Sequence, residues 1–288
     1  MKVITYLSGN PVHDRVLNAF HNGIPVDLTI TAETRHVSKG WAPADVAVVF
    51  GIGKKKVPVS WPRGKVCQGQ LSTGKPLVVL ETGYIHRGDG PDNHYAAGFN
   101  GLNGRADFRN QGVPGDRWNK LRVNIRGYRL FGQHILVCGQ VPWDASVDHH
   151  DHLGWIRATV ARLNNITGKP IIFRPHPLAQ GVNYGLLKGA TFSTKSLAED
   201  LQDCHAVVTY NSNTGVDALL EGIPVFTDDD GSMVRAVSNH DIADIENPTQ
   251  FDRAVWANDI AYTQWTPVEF ERGLAWHHLF RPDRAIRI

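Results

Sequence analysis

The 288-residue chain has no run of 18 apolar residues, so it offers no helix long enough to cross a membrane. It has only three cysteines, Cys67, Cys138 and Cys204, odd in number and far apart. That excludes a disulfide framework and suits buried thiols in a reducing cytoplasm. The opening MKVITYLSGNPVHDR turns polar after one short apolar run. It lacks the long apolar region and small-residue cleavage site of a secretory signal. A cytoplasmic protein without membrane insertion is the expectation. Net charge is only +2, so no overall sign announces a nucleic-acid partner, and only a local patch can do so. Internal repeats and low-complexity segments are also absent. What is present, 42% apolar and 20% charged residues, is the composition of a packed soluble protein. The length suits two domains of about 130–150 residues each.

Short apolar runs alternate with helical patterns. KVITYLS, VDLTI, ADVAVVFGIG and KPLVVLETGYI read as strands in the first half, and HDRVLNAFHNG as a helix ending at Gly23. Runs without alternation fit parallel strands covered on both faces. Residues 86–130 interrupt this rhythm with Gly, Asn, Asp and Arg, and a connection of that length is functional or mobile. Strands return at HILVC, PIIFRPHP, ATFST, HAVVTY and IPVFTD, with helices at HLGWIRATVARLNNITG, LAEDLQDC and NTGVDALLEG. The tail reads as helical, with Trp256, Trp265 and Trp276 in a core. The alternation predicts an α/β protein of two facing Rossmann-like domains with parallel sheets. The boundaries expected are 1–130, 131–265, and a tail 266–288 returning to the first domain.

In open α/β sheets ligands bind at the carboxyl ends of the strands. There the second half places Gln140, Asp144 and Ser146; Arg174 and His176; Asn211, Ser212, Asn213 and Thr214; and Asp228, Asp229 and Asp230. The first turn of a helix after HAVVTY suits an anion, with Ser212, Asn213 and Thr214 as added donors. Plain capping is the rival, since Thr214 and Asp217 have capping-box spacing. Arg174 and His176 can both donate to a phosphate, and Pro175 and Pro177 stiffen the backbone around them. A solvated turn with a bystander histidine is the alternative.

These segments resemble the nucleotide-sugar half of the capsule-polysaccharide Kdo transferases, members of the GT-B glycosyltransferases. That family carries G-Q-x-x-x-D-A-S, K/R-P-H-P and S-x-T-G-x-E-A-L-L segments. Gly139, Gln140, Asp144, Ala145 and Ser146 match the first, and Arg174, Pro175, His176 and Pro177 the second. Ser212, Thr214, Gly215, Asp217, Ala218, Leu219 and Leu220 match the third, with Asp217 in the place of the family's Glu. The resemblance covers about residues 133–228. It implies a GT-B-like fold and a UDP-, GDP-, TDP- or CMP-sugar donor. Its phosphate would be met by His176, Ser212 and Thr214, and its ribose by Asp217, with no further cofactor and no metal. LETGYIHRGDG resembles the family's E-D-G-F-x-R-S-x-G-L-G stretch on the acceptor side. Glu81, Gly83 and Arg87 match, but Thr82 stands where the family has Asp. Glu81, Asp89, Asp92 and Asp107 are the candidate acids or bases that remain, with His176 on the donor side.

Residues 101–129 carry Arg105, Arg109, Arg117, Lys120, Arg122, Arg126 and Arg129 against Asp107 and Asp116. Phe99, Phe108, Trp118 and Tyr128 lie among or beside them. With Arg87, this pattern suits DNA phosphates and an unstacked base, although an ordinary solvated surface has the same composition. It has a loose resemblance to phage enzymes that glycosylate hydroxymethylated bases. The favoured acceptor is therefore a hydroxymethylated pyrimidine in DNA, and a bacterial surface glycan is the alternative. A nucleotide-sugar epimerase or hydrolase, and a non-catalytic nucleic-acid or glycan binder, are the other readings. DHHDH at 148–152 has metal-ligand chemistry, but its side chains would diverge before a helix, so solvated cap residues are expected. His277 and His278 are expected on the surface.

Overall fold

A computed structural model describes residues 1–129, 131–147 and 149–282. In chain order it contains β1 (Lys2–Leu7), α1 (Pro11–Asn22), β2 (Thr31–His36), β3 (Val46–Phe50), α2 (Trp61–Leu71), β4 (Leu77–Thr82), β5 (Tyr95–Phe99) and α3 (Asp116–Leu121). Then follow β6 (His134–Cys138), α4 (His152–Ile166), β7 (Ile171–Arg174), β8 (Ala190–Phe192), α5 (Leu197–Leu201), β9 (Cys204–Thr209), α6 (Thr214–Leu220) and β10 (Val225–Thr227). The chain closes with α7 (Ala254–Ala261), β11 (Gln264–Trp265), α8 (Pro267–Glu271) and α9 (Leu274–Leu279). Among the described residues no helix is long and apolar enough to cross a membrane.

By its contacts the chain divides into two compact units. The first joins Met1–Leu121 to the segment from Ala257, and the second is Arg122–Trp256. These breaks fall nine residues before the boundaries read from composition. Residues 122–129 belong to the second unit because Arg126 and Arg129 N–H groups donate to Leu220 and Gly222 carbonyls. Residues 264–265 belong to the first because β11 pairs with β5.

The first unit holds a six-stranded sheet ordered β11-β5-β4-β3-β1-β2, parallel from β4 to β2, with β5 antiparallel to β4 and β11 antiparallel to β5. Successive side chains of a strand point to opposite faces. Val46, Val48 and Phe50 of β3 therefore pack with Val16, Leu17, Phe20, Phe270 and Trp276. Ala47 and Val49 enter a second cluster with Ile4, Tyr6, Val66 and Val79. Both faces are buried, which is why the strands read as unbroken apolar runs. Each fully buried Val, Leu, Ile or Phe contributes about 1.5–3 kcal/mol.

Two segments differ from the sequence reading. Residues 26–30, expected as a strand, form a turn in which Asp27 Oδ1 accepts from the Thr29 and Ile30 amides. The strand is the next segment, Thr31–His36, and its polar sequence TAETRH fits the exposed edge it occupies. The stretch 86–130 is no single loop, since it contains β5 and α3.

The second unit holds a five-stranded, all-parallel sheet ordered β10-β9-β6-β7-β8. Helix α4 lays Trp155, Ile156, Val160 and Leu163 onto Ile135, Val137, Ile171, Phe173 and Val208. All parallel strands of a sheet end on one edge. In this unit that edge gathers the residues after Cys138, Arg174 and Thr209, which lie abreast in register, and after Thr227 beside Thr209.

Candidate functional site

At the carboxyl edge of the second sheet the side chains are knit together below the surface. Gln140 Nε2 donates to Asn211 Oδ1 at 2.6 Å, and the Asn211 amide N–H returns a bond to Gln140 Oε1 at 3.1 Å. Asn211 Nδ2 donates to Ser146 O at 3.0 Å and to Asp229 Oδ2 at 2.8 Å. Asp229 Oδ2 also accepts the Gly231 amide at 3.0 Å. Gln140, Asn211 and Asp229 are all buried. The Gln140 amide donates to His152 Nε2 at 2.9 Å. That bond fixes the neutral His152 tautomer with its proton on Nδ1. Burial, with His150 second, pushes His152 down to about 4. His152 is thus a core residue rather than the solvated cap expected from DHHDH, because its ring stacks on Trp155 at 5.4 Å. Asp151 is the cap of α4, accepting from Gly154 N. Asp148 lies outside the described residues.

Above this layer sits the predicted donor set. Asp144 Oδ1 accepts from the Ser146 amide and hydroxyl. His176 Nδ1 accepts the Leu178 amide at 3.1 Å, so its neutral ring carries the proton on Nε2. Burial lowers the His176 pKa, partly opposed by Asp144, so near neutral pH it is a neutral donor. Arg174 has a different partner from the one expected. Its Nη1 bonds Asp200 Oδ2 at 2.7 Å and Lys195 O at 2.6 Å, and Asp200 in turn accepts from the Ser193 hydroxyl. The Asp200 side chain is 1% exposed, so this is a buried ion pair.

Helix α6 starts at Thr214 with Asn213 as its cap, and the cap side chain makes no capping bond. The Thr214–Asp217 capping box is therefore absent, since Thr214 is already inside the helix. The amides of this turn are largely used internally: Ser212 N donates to Thr209 Oγ1, Thr214 N to Ser212 Oγ, and Gly215 N to Ser212 O. The Ser212 hydroxyl donates to the Thr214 hydroxyl at 3.2 Å, and both lie at the same strand-end edge as His176. Asp217 is half-buried on the same short helix.

The first unit's carboxyl edge brings together Glu81 at the end of β4, Gly51 after β3 and His13 in α1. Glu81 Oε1 accepts the Thr82 amide at 2.9 Å. Gly51 has φ +63°, and a Cβ there would lie 3.2 Å from Glu81 Oε2 and 3.8 Å from the Arg63 guanidinium. Its hydrogen lets these two groups approach. His13 stacks on Phe50 at 4.1 Å, and burial followed by Arg63 lowers its pKa. Asp89 and Asp92 are exposed in the loop beyond β4. The Asp89 carbonyl accepts from Arg15, and Arg87 is exposed, donating to Tyr84 O. Asp107 departs from this group. It bridges Phe99, which pairs with Val78 at the start of β4, so it lies at the opposite edge.

The basic stretch does not form one patch. Arg109 is buried, donating to Leu279 O and Arg281 O. Arg117 is buried against Glu269 and Trp265. Arg126 is exposed but paired with Glu221 at 2.6 Å, and Arg129 donates to Leu201 O. Arg105, Lys120 and Arg122 are exposed. Phe99 and Phe108 are core residues and cannot stack a base. These side chains divide between the two units at 121/122. His278 is likewise buried, bonded to Phe108 O, whereas His277 is exposed. Trp256, Trp265 and Trp276 are buried.

A cavity of about 170 Å³ opens beside α4, lined by Trp155, Thr159, Arg162, Phe226, Asp228 and His240 among others. It contains none of the predicted donor residues. Its polar walls are already paired, Trp155 Nε1 with Asp228 and Arg162 with Asp241. Among the described residues no group of three or more His, Cys, Asp or Glu can hold a metal ion. Sequence reading missed His13 and the linkage of Asn211 to Asp229, and it took Arg63 only as part of the basic charge of the first half. Strand-end position was the signal for Asn211 and Asp229, and nothing in the sequence marked His13.

No protein-family model matches the chain, and no curated protein matches it by sequence. Among solved structures it is similar to the beta Kdo 2,4 transferase of Thermosulfurimonas dismutans KpsC. That likeness has a TM-score of 0.56 and 14% identity over 91% of this chain and 90% of the other. The beta Kdo 2,7 transferase of the same protein gives 0.53 and 15%, over 95% and 98%. At such identities the likeness establishes the fold, an α/β GT-B-like architecture of two Rossmann-like units.

Proposed function

We propose that this chain is a nucleotide-sugar-dependent glycosyltransferase that moves a sugar onto a hydroxyl. The observation that carries the reading is the carboxyl edge of the second unit. There the Nε2–H of a neutral His176, after β7, and the hydroxyls of Ser212 and Thr214, after β9, share the strand-end edge with the hydrogen-bonded Gln140–Asn211–Asp229 layer. Fixed donors of this kind stabilise charge that develops on a leaving phosphate. In the transfer the bond from the anomeric carbon to the phosphate oxygen breaks, and the nucleotide leaves with the electron pair. A bond forms from the acceptor oxygen to that carbon, and a base takes the hydroxyl proton. Glu81 is the leading candidate for that base, followed by Asp89 and Asp92. Asp107 is set aside because of its place at the opposite edge. Asp217 is proposed for the ribose. Gln140 and Arg174 act by positioning, since their side chains are engaged within the protein. The reading asks for no cofactor beyond the sugar nucleotide.

For the acceptor, burial of Arg109, Arg117, Phe99 and Phe108 removes much of the case for DNA. Exposed Lys120 and Arg122 keep a hydroxymethylated pyrimidine as a second reading beside a glycan hydroxyl. A mass-spectrometric assay tests both. Pooled UDP-, GDP-, TDP- and CMP-sugars are offered with hydroxymethylcytosine DNA, hydroxymethyluracil DNA, plain DNA and oligosaccharides. Sugar mass on one acceptor class is the expected result. Product from donor alone would make the chain an epimerase or hydrolase. Acceptor binding without turnover would make it a binder, in keeping with Thr82 in the place of an acid.

A further inference from the structure

We infer that Asn211 is a positioning residue whose side chain welds the loops after β6, β9 and β10 into one rigid bed beneath the donor phosphate. The inference rests on the glycosyltransferase reading for its functional half only. A primary amide offers two N–H donors and an accepting oxygen. In Asn211, 3% exposed, every one of them is engaged. The two N–H donors reach Ser146 O, in the loop after β6, and Asp229 Oδ2, after β10. The oxygen takes the Gln140 side-chain amide, and the backbone N–H closes a second bond to the same side chain. The amide cannot turn over, because its oxygen would then face the Asp229 carboxylate. The next residue is Ser212, whose hydroxyl orders the first turn of α6 by accepting the Thr214 amide. Fixing Asn211 therefore fixes the groups that meet phosphate without touching it.

The test uses Asn211→Asp, which keeps the shape and replaces the donating nitrogen by an oxygen. That oxygen would stand 2.8 Å from Asp229 Oδ2, where Nδ2 stands now. Two carboxylates so close repel one another when both are ionised, as the test expects at pH 8, and a proton shared between them restores a donor as pH falls. The other titratable groups packed here are Asp144 in the loop after β6, His150 and His152 leading into α4, and Tyr210 after β9. Wild-type protein carries all of them, so only a pH response confined to the variant counts.

UDP, GDP, TDP and CMP affinities are measured at pH 8 and pH 5.5 by calorimetry, with amide hydrogen exchange of residues 139–147 and 229–232. In Asn211→Asp we expect nucleotide binding weaker by about tenfold or more at pH 8, recovered at pH 5.5. Both loops should exchange faster than wild type only at pH 8. Gln140→Met, which adds no charge, should loosen residues 139–147 at both pH values and show no recovery. Wild-type affinity and wild-type protection at pH 8, in either folded variant, would overturn the inference. If the wild-type protein binds no nucleotide, the glycosyltransferase reading fails, while the exchange data still decide whether Asn211 locks the loops.

Discussion

Arg117 has its guanidinium 3.8 Å from the Trp265 ring centroid and donates to both carboxylate oxygens of Glu269, at 2.7 and 3.1 Å. It also reaches the Ala261 and Gln264 carbonyls. Removing one partner of a buried pair leaves the other charge uncompensated, so Arg117→Ala should lose about 3 kcal/mol or more in urea unfolding. Arg117→Lys should restore little, because an ammonium cannot make the bidentate, stacked contact. Arg126 is the opposite case. Its pair with Glu221 is 67% and 36% exposed, and such pairs are worth about 0–1 kcal/mol. Arg126→Glu with Arg122→Glu is thus a clean probe of acceptor binding. Weaker DNA binding with a flatter salt dependence would support the DNA reading, and unchanged binding would remove it. His176→Ala should lower turnover about 100-fold with the fold intact if its Nε2–H stabilises the leaving phosphate. Unaltered kinetics would take His176 out of the site.

The same contrast between type and partner appears among whole elements. β1, β3, β4, β6 and β9 were legible because strands buried on both faces must be continuously apolar. β5, YAAGF, was lost in a Gly- and Asn-rich context, although all five residues are buried. Its Gly98 is demanded by packing, since a Cβ would sit 2.8 Å from the Phe108 ring. β2 was misplaced, read at 26–30 and found at Thr31–His36, because an edge strand needs little apolar sequence. At the site, the residue types at the strand ends could be read, but Arg174's pairing with Asp200 could not. A partner 26 positions away leaves no local signature. The return of the tail is a packing event of this kind. Gly23 caps α1 where α8 crosses, and a Cβ there would lie 1.9 Å from the Phe270 carbonyl oxygen. Neither backbone can yield cheaply. Gly23→Ala should therefore cost about 3 kcal/mol, at the upper end for overpacking. Proteolysis should then open the chain near α8 and α9 first. A wild-type melting temperature would show that the two helices have slack.

At the scale of the molecule, acid stability is the property most directly set by this burial. His94 and His152 are both pushed down to about 4, each mainly by burial. The unfolded chain titrates them near 6.5. Above that value both states are neutral and the histidines contribute no pH dependence. As pH falls below about 6.5 the unfolded state takes protons that the folded state refuses, so stability drops until the folded rings also titrate near 4. For His152, 2% exposed, the loss is on the order of 3 kcal/mol. Glu269 adds to the acid limb with the same sign. The Arg117 ion pair outweighs burial and holds its carboxyl below the usual value. Its contribution is present above its unfolded pKa and is lost as pH falls through the folded one. Urea unfolding from pH 8 to pH 4 should therefore give a plateau above about pH 7 and a steady decline below about 6.5. His152→Gln can still accept the Gln140 amide through its side-chain oxygen but has no proton to gain. Its decline between pH 6.5 and 4.5 should be visibly shallower than that of the wild type, with the plateau nearly kept. A decline as steep as in the wild-type protein would mean that His152 is open to protons in the folded state. The hydrogen-bonded layer that it anchors would then be looser than its bonds imply.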